Sequence, residues 1–367
     1  MITFDKPLSA TGPMLRSDVP AVAQLFMTAF RDGRASSAAF CEYFERSFFS
    51  TPLYDEALGS LVHRDGDGRV DSALLVLPMQ VSIHGRVLPG RLMSNYMTDP
   101  GSRTRGGADM VLTIRSRKQE FCFSDSANPV SAAHWQAIGG HRLPIQSLDW
   151  RVVLRPASWL VGRGGKRLPR WAKPFARTLA RPVDRVARRF VPSNRSAVAR
   201  GSTMPRDTFL AVAPGLVERF ALHPVWSKDE LSWLLDMAAL NTIDGPLTLR
   251  QVHDTKGELL GCSVCYAKPG GVAKVLNVLS SAGHEAAVLD DLIVYADNLG
   301  CTAIQGMAQP FLMAALGQVK GMSFVPRGAY CISTRHAEIV TAVQSGDAYL
   351  GGLFGEDWSR LLTDFQD

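Results

Sequence analysis

A chain of 367 residues that is 46% apolar has the length for two or three domains and the side-chain volume for their cores, which excludes a disordered or low-complexity polymer. Met1 to Lys6 lacks the basic-then-apolar layout of an export signal, and no unbroken apolar run approaches the ~20 residues of a membrane-spanning helix, so the expected compartment is the cytosol. The net charge of +6 is local: thirteen Lys or Arg against one acid, Asp184, give residues 161–206 a charge of +12 and leave −6 for the rest.

Residues 14–34 set Val22, Leu25, Phe26 and Phe30 at helical spacing, with Asp18 as a cap and Pro20 in the first turn, and 38–49 read as a second helix. Residues 59–64 and 70–77 read as strands around the turn Asp65-Gly66-Asp67-Gly68. A third strand, with a turn at 85–89, fills 79–90, and 91–97 form a fourth. Next comes Thr98-Asp99-Pro100-Gly101-Ser102-Arg103-Thr104-Arg105-Gly106-Gly107-Ala108, a glycine-bearing loop between that strand and a helix opening at Asp109. Such a loop offers main-chain N–H groups and the positive end of a helix dipole to an anion. Gly106 and Ala108 let a phosphate approach the backbone, and Arg103 and Arg105 add charge. It is neither a Walker loop, having no Gly-Lys-Ser/Thr, nor a dinucleotide fingerprint. After the helix, 120–124 read as a strand, followed by a helical stretch holding Asn128, Ser131, Trp135 and Gly139; 146–154 then form the strand that closes a first domain, 1–155.

In the basic linker, 156–206, Trp171, Phe175, Leu179, Val183, Val186 and Phe190 recur every three or four residues, with Arg177, Arg181, Arg185, Arg188 and Arg189 off that stripe. An apolar stripe backed by arginine suits an anionic membrane surface over 170–191. A helix docked on the protein with a solvated basic face fits the same pattern, and Pro182 predicts a kink. Basic charge with aromatics also suits nucleic acid, but no recognition motif accompanies it, so nucleic acid is not an expected partner. From about Asp207 a second unit, 207–367, repeats the element order: a helix with the capping box Ser227 to Glu230, a hairpin around 254–258, a strand over 272–279, a helix over 284–299, a strand over 301–306 and a helix over 311–316. At the position of the anion loop it has Ser280-Ser281-Ala282-Gly283-His284-Glu285, with one glycine and no arginine, so this copy is expected to hold no phosphate. Cys262-x-x-Cys265 lies in a strand-like run with no second ligand pair, and no other grouping has metal-ligand spacing; no metal is expected.

Arg103-x-x-Gly106-x-Ala108, with Pro100 three residues ahead of the arginine, resembles the acyl-CoA loop Arg/Gln-x-x-Gly-x-Gly/Ala of the GCN5-related N-acetyltransferases, and Asn128, Ser131, Trp135 and Gly139 match the spacing of that family's next motif. The resemblance covers about the first 150 residues. It implies an α/β (α+β) chain of two tandem domains, each a mixed, mostly antiparallel sheet flanked by helices. It also implies acetyl-CoA or another acyl-CoA as co-substrate, held by Met97, Thr98, Arg103, Thr104, Arg105, Gly106, Gly107, Ala108, Asn128, Ser131 and Trp135. The implied reaction is acyl transfer to an amine of a small-molecule, sugar or lipid-linked acceptor, which needs a base for the ammonium and an acid for the leaving thiolate. Trp135 stands where the family often has a tyrosine that protonates sulfur, and indole cannot do so. The polar side chains left near the expected centre are Tyr96, Asn95, Ser124 and Asp125. Two other activities fit the same residues. One is a non-catalytic acyl-CoA-binding scaffold. The other is an aminoacyl transferase of the Fem type, which shares the tandem fold and would use the basic segment for tRNA but needs no CoA loop.

Overall fold

The computed structural model of the chain describes residues 10–102, 106–113, 119–164, 180, 182–184, 186 and 200–363. The first half begins with β1 (Ala10–Pro13), α1 (Val19–Phe30) and α2 (Ala38–Phe49). Phe26, Phe40, Phe44 and Phe48 pack tilted or edge-on along the α1–α2 contact with ring centroids 5.0–6.0 Å apart. Asp18 does not cap α1 as expected, because its carboxylate accepts instead from the Leu15 N–H and from Arg64, both at 2.7 Å.

The half continues with β2 (Leu61–Arg64), β3 (Val70–Ile83), β4 (Arg86–Thr98), α3 (Gly106–Thr113), β5 (Phe121–Ala127), α4 (Pro129–Ala137), β6 (His141–Leu143), β7 (Leu148–Val153) and α5 (Pro156–Gly164). The second half holds β8 (Arg200–Thr203), α6 (Arg206–Val217), β9 (Leu222–Pro224), α7 (Lys228–Ala239), β10 (Leu247–His253), β11 (Leu259–Tyr266) and β12 (Val272–Ser280). After these come α8 (Glu285–Leu299), β13 (Ala303–Met307), α9 (Met313–Gln318), β14 (Met322–Pro326), β15 (Ala329–Ser333), α10 (Ala337–Ser345) and a C-terminal segment with single 3₁₀ turns. The capping box opens α7 as expected: the Ser227 hydroxyl accepts from the Glu230 N–H at 3.1 Å, and the Ser227 amide returns a bond to the Glu230 carboxylate.

Where three strands were expected over 70–97 there are two long ones, joined at His84 and Gly85, both with positive φ as a tight two-residue turn requires. Pro78 does not break β3. It falls between the residues paired with β2 and those paired with β9, where no strand on that side needs its missing N–H.

The strands form two mixed, mostly antiparallel sheets, in the orders β1-β2-β3-β4-β5-β15-β6, with β9 on β3, and β14-β7-β13-β12-β11-β10-β8. Each has one parallel pair, β4 with β5 and β12 with β13. The halves also exchange a strand. β7, expected to close the first sheet, lies between β13 and β14 of the second, while β15 lies between β5 and β6 of the first. One buried cluster accordingly runs from Phe26 and Phe44 through Phe123 and Tyr330 to Leu234 and Trp358. Cys262 and Cys265 are buried on β11, where desolvation pushes both thiols up to about 12. Of the basic linker's stripe, Trp171, Phe175, Leu179 and Phe190 lie outside the described residues.

The exchange ties both sheets into one unfolding unit. Ile332→Ala, on the buried face of β15, is expected to cost about 2–5 kcal/mol and to shift a single denaturant transition seen alike by tryptophan fluorescence and circular dichroism. Two separated transitions would contradict a shared core.

Candidate active site

β4 and β5 are parallel neighbours only over Gly90–Leu92 against Phe121–Phe123. Beyond those residues β4 continues on β3 and β5 on β15, so the two strands part. β4 also carries an extra residue: Leu74 faces Tyr96 but Val76 faces Met93, which puts a bulge at Ser94 and Asn95. A cavity of about 330 Å³ occupies the opening. Ser94, Asn95 and Tyr96 line it from β4, Ser124 and Ser126 from β5, and Asn128, Ser131, His134 and Trp135 from α4 and its cap, while Phe26, Phe30 and Arg31 close the α1 side with Leu361.

One end of the cavity meets α3. His63 and Asp71, both buried, are joined at 2.6 Å between Nδ1 and Oδ1, and the second Asp71 oxygen accepts from the Ser102 hydroxyl at 2.8 Å. A side chain on Gly106 would overlap the His63 ring, and one on Gly107 would overlap the Tyr96 hydroxyl. Packing therefore demands glycine at both positions. Ser102 and Gly106, the two ends of the anion loop, both rest on the His63–Asp71 pair, and the first turn of α3 opens beside Tyr96 with no side chain for two residues. Arg103, Thr104 and Arg105 lie outside the described residues.

At the deep end of the opening stands a carboxylate from far along the chain. Glu356, 1% exposed, accepts hydrogen bonds from the hydroxyls of Ser94 on β4 and Ser126 on β5. Asp125 lies behind it, fully buried and facing away from the cavity, with one oxygen accepting from the Glu356 N–H at 3.1 Å. Desolvation first, then the charges of Glu356 and Asp357, push Asp125 up to about 8. Burial also raises Glu356. Burial alone would raise Asp357 too, but Arg327, at 2.9 and 3.0 Å, and Lys274 hold it below the usual carboxylate range.

No family sequence profile matches the chain, and no curated protein matches it in sequence. Solved structures do match. A conserved protein of unknown function from Enterococcus faecalis V583, described as a probable N-acyltransferase, superposes at TM-score 0.57 over 88% of this chain and 71% of its own, with 12% identity. A GCN5-related N-acetyltransferase from Anabaena variabilis gives TM-score 0.57, 9% identity and coverage of 88% and 72%; another from Kribbella flavida gives 0.52, 12%, 88% and 70%. The chain has the GCN5-related N-acetyltransferase fold.

Within that fold, Asn95, Tyr96, Ser124, Asn128, Ser131 and Trp135 come together around one cavity. Asn128 also caps α4, its side chain accepting from the Ser131 N–H at 2.8 Å. The Met97 side chain points into the core, Thr98 ends β4 beside Gly107, and Ala108 is exposed. His134 meets the Tyr96 ring edge-on at 6.2 Å. Glu356 escaped the sequence reading because its partners are 230 and 262 residues away. A signal does exist, in the run Gly351-Gly352-Leu353-Phe354-Gly355-Glu356-Asp357-Trp358, where glycines that packing demands adjoin acids.

Asp125 is protonated in the folded chain and ionised in the unfolded one between its ordinary value of 3.8 and about 8, so the native state binds the extra proton and stability falls as pH rises across that window. The slope from this group is at most ~1.4 kcal/mol per pH unit. Denaturant titrations of wild type and Asp125→Asn from pH 5 to 9 should show that fall in the first and a flatter profile in the second; equal slopes would contradict a proton on Asp125.

Proposed function

We propose that the chain is an acyl-CoA-dependent N-acyltransferase working in the cleft between β4 and β5. The observation that carries this reading is the parting of the two strands after Leu92 and Phe123 beside the glycine-opened first turn of α3. Parted strand edges present main-chain N–H and C=O groups that suit the amide-bearing arm of a coenzyme, and a helix N-terminus suits its phosphates. Met97, Thr98, Gly106, Gly107 and Ala108 lie at the phosphate end of this scheme, Arg103, Thr104 and Arg105 are assigned to the same end from the sequence motif, and Asn128, Ser131 and Trp135 lie at the α4 wall. The acceptor enters from the α1 side, past Phe30 and Arg31.

The amine nitrogen attacks the thioester carbonyl carbon; a C–N bond forms and the C–S bond breaks. The proton leaving nitrogen passes through the Ser94 or Ser126 hydroxyl to Glu356, and water protonates the departing thiolate, while Tyr96 lines the cavity with its hydroxyl against Gly107. Asn95 and Ser124 line the reacting centre. Asp125 works from behind, holding a proton of its own so that the negative charge sits on Glu356. An acetyl group and a small-molecule, sugar or lipid-linked amine are the proposed donor and acceptor classes.

Calorimetric titration should show binding of acetyl-CoA or a longer acyl-CoA, and thiol release should appear with at least one of an amino-acid amide, a hexosamine and a polyamine. Glu356→Gln should lower kcat about 10²–10⁴-fold while leaving KM for the thioester within about threefold. A chain that binds no acyl-CoA refutes the proposal, and one that binds it without turnover is a scaffold.

The linker is proposed to rest on an anionic membrane surface. In support, Val183 and Val186 are 58% and 59% exposed, and Leu160 on α5 is 62% exposed. Asp184 between them turns inward, accepting from the Ala157 and Ser158 N–H groups at 2.8 and 3.0 Å, which ties the linker to the start of α5. An exposed apolar row inside a segment of charge +12 matches anionic headgroups. No described helix is long and apolar enough to cross a membrane, so contact would be peripheral. Phosphatidylglycerol vesicles should sediment the protein and phosphatidylcholine vesicles should not, with the Val183→Ser/Val186→Ser pair weakening the first; equal sedimentation by both refutes the assignment.

A further inference from the structure

The second sheet opens in the same way as the first. Its parallel pair ends at Val275 and Gly306, and β12 carries a bulge at Leu276 and Asn277 where β4 carries one at Ser94 and Asn95. This second opening is filled by the chain itself. Asn277, fully buried, donates from Nδ2 to the Tyr349 hydroxyl oxygen at 2.7 Å and accepts on Oδ1 from the Leu353 N–H at 3.0 Å. Gly351 and Gly352 have φ of +80° and +65°. A side chain on Gly352 would overlap the Leu276 carbonyl and Asn277, and one on Gly351 would overlap Met307. Phe354 then stacks on Phe123, the last parallel residue of β5, with centroids 4.7 Å apart.

Three residues beyond the Leu353 bond stands Glu356. Its neighbours are fixed as firmly: a side chain on Gly355 would overlap Asp125, the Lys274 ammonium donates to the Asp357 carbonyl at 2.9 Å, and the Trp358 indole donates to the Gly355 carbonyl at 2.7 Å. We propose that the opening of the second sheet is a socket for the C-terminal segment, and that Asn277 is a positioning residue which sets the Glu356 carboxylate between Ser94 and Ser126 of the first. Two bonds to one rigid amide fix both Tyr349 and Leu353, leaving too little chain between Leu353 and Glu356 for the carboxylate to wander. The half that lacks a phosphate loop thereby contributes the proton acceptor to the half that has one. This role rests on the reading of Glu356 as that acceptor.

Two variants test it. Asn277→Ala removes both bonds, and Tyr349→Phe removes one hydroxyl and serves if the first fails to fold. Hydrogen exchange by mass spectrometry should show residues 350–358 exchanging at least about tenfold faster in Asn277→Ala, with β3 unchanged. With acetyl-CoA and the amine giving the fastest thiol release, kcat should fall about 10–100-fold and KM for acetyl-CoA stay within about threefold. In a Glu356→Gln background the same substitution should have little further effect, because a residue acting through Glu356 has nothing left to position. Unchanged exchange over 350–358 in both variants, or an equal loss of kcat in both backgrounds, overturns the socket. If Glu356→Gln itself keeps wild-type kcat, the fault lies with the reading of Glu356 and not with the socket, which the exchange result still decides.

Discussion

Past Leu92 and Phe123 no ladder joins β4 to β5, and the Glu356 carboxylate stands in for it by accepting from Ser94 on one strand and Ser126 on the other. An ionised carboxyl only accepts, so it needs donors on both sides, and the two hydroxyls need an acceptor between them. Replacing either side with an apolar group would strand the other, a desolvation cost of about 1–3 kcal/mol for each buried polar group. The sheet can therefore stay open at its outer end because its deep end is bridged. The cavity, the bulge at Ser94 and Asn95 and the approach of α3 all follow from that opening.

The bridge also fixes where protons reside. Asp125, Asp149, Glu356 and Asp357 share a buried neighbourhood with Arg327 and Lys274, and Arg151 reaches Asp149 alone, so the four acids cannot all be ionised cheaply. Asp357 takes the Arg327 guanidinium with both oxygens. Between Asp125 and Glu356, hydrogen bonding decides. Glu356 has two hydroxyl donors, whereas Asp125 has one main-chain donor and an Oδ1 without a partner among the described residues. Donors favour the charged form, so the charge belongs on Glu356 and the proton on Asp125.

Local signals in the chain were legible wherever the physics is local. The turn at Asp65–Gly68, the box from Ser227 to Glu230 and helix α2 each depend on residues within four positions of one another, and each is found where spacing puts it. The cap at Asn128 belongs to the same class. The glycines at 106 and 107 do not: packing demands them because of His63 and Tyr96, 43 and 11 positions away. Partner choice between distant strands was not legible. β7 reads as an ordinary apolar strand, and nothing in its alternation says which sheet it joins. Asp18 shows the same limit at small scale, since a cap residue was drawn off by Arg64, 46 positions away.

The loss of the anion loop in the second half has a physical counterpart in the plugged opening. Once Tyr349 and Leu353 occupy the bulge of β12, no coenzyme arm can lie there, and a glycine- and arginine-bearing turn at 280–285 has nothing to hold. The half nevertheless stays indispensable. β15 covers the edge of β5 from Ser124 to Ala127, and without it that strand would present a bare ladder on the side away from the cleft, free to twist toward β4 and close it. The second half thus acts on the cleft twice, by holding one wall in place with a strand and by bridging the gap with a carboxylate. Both contributions come from the segment that follows β14, and neither requires the second half to bind a ligand of its own.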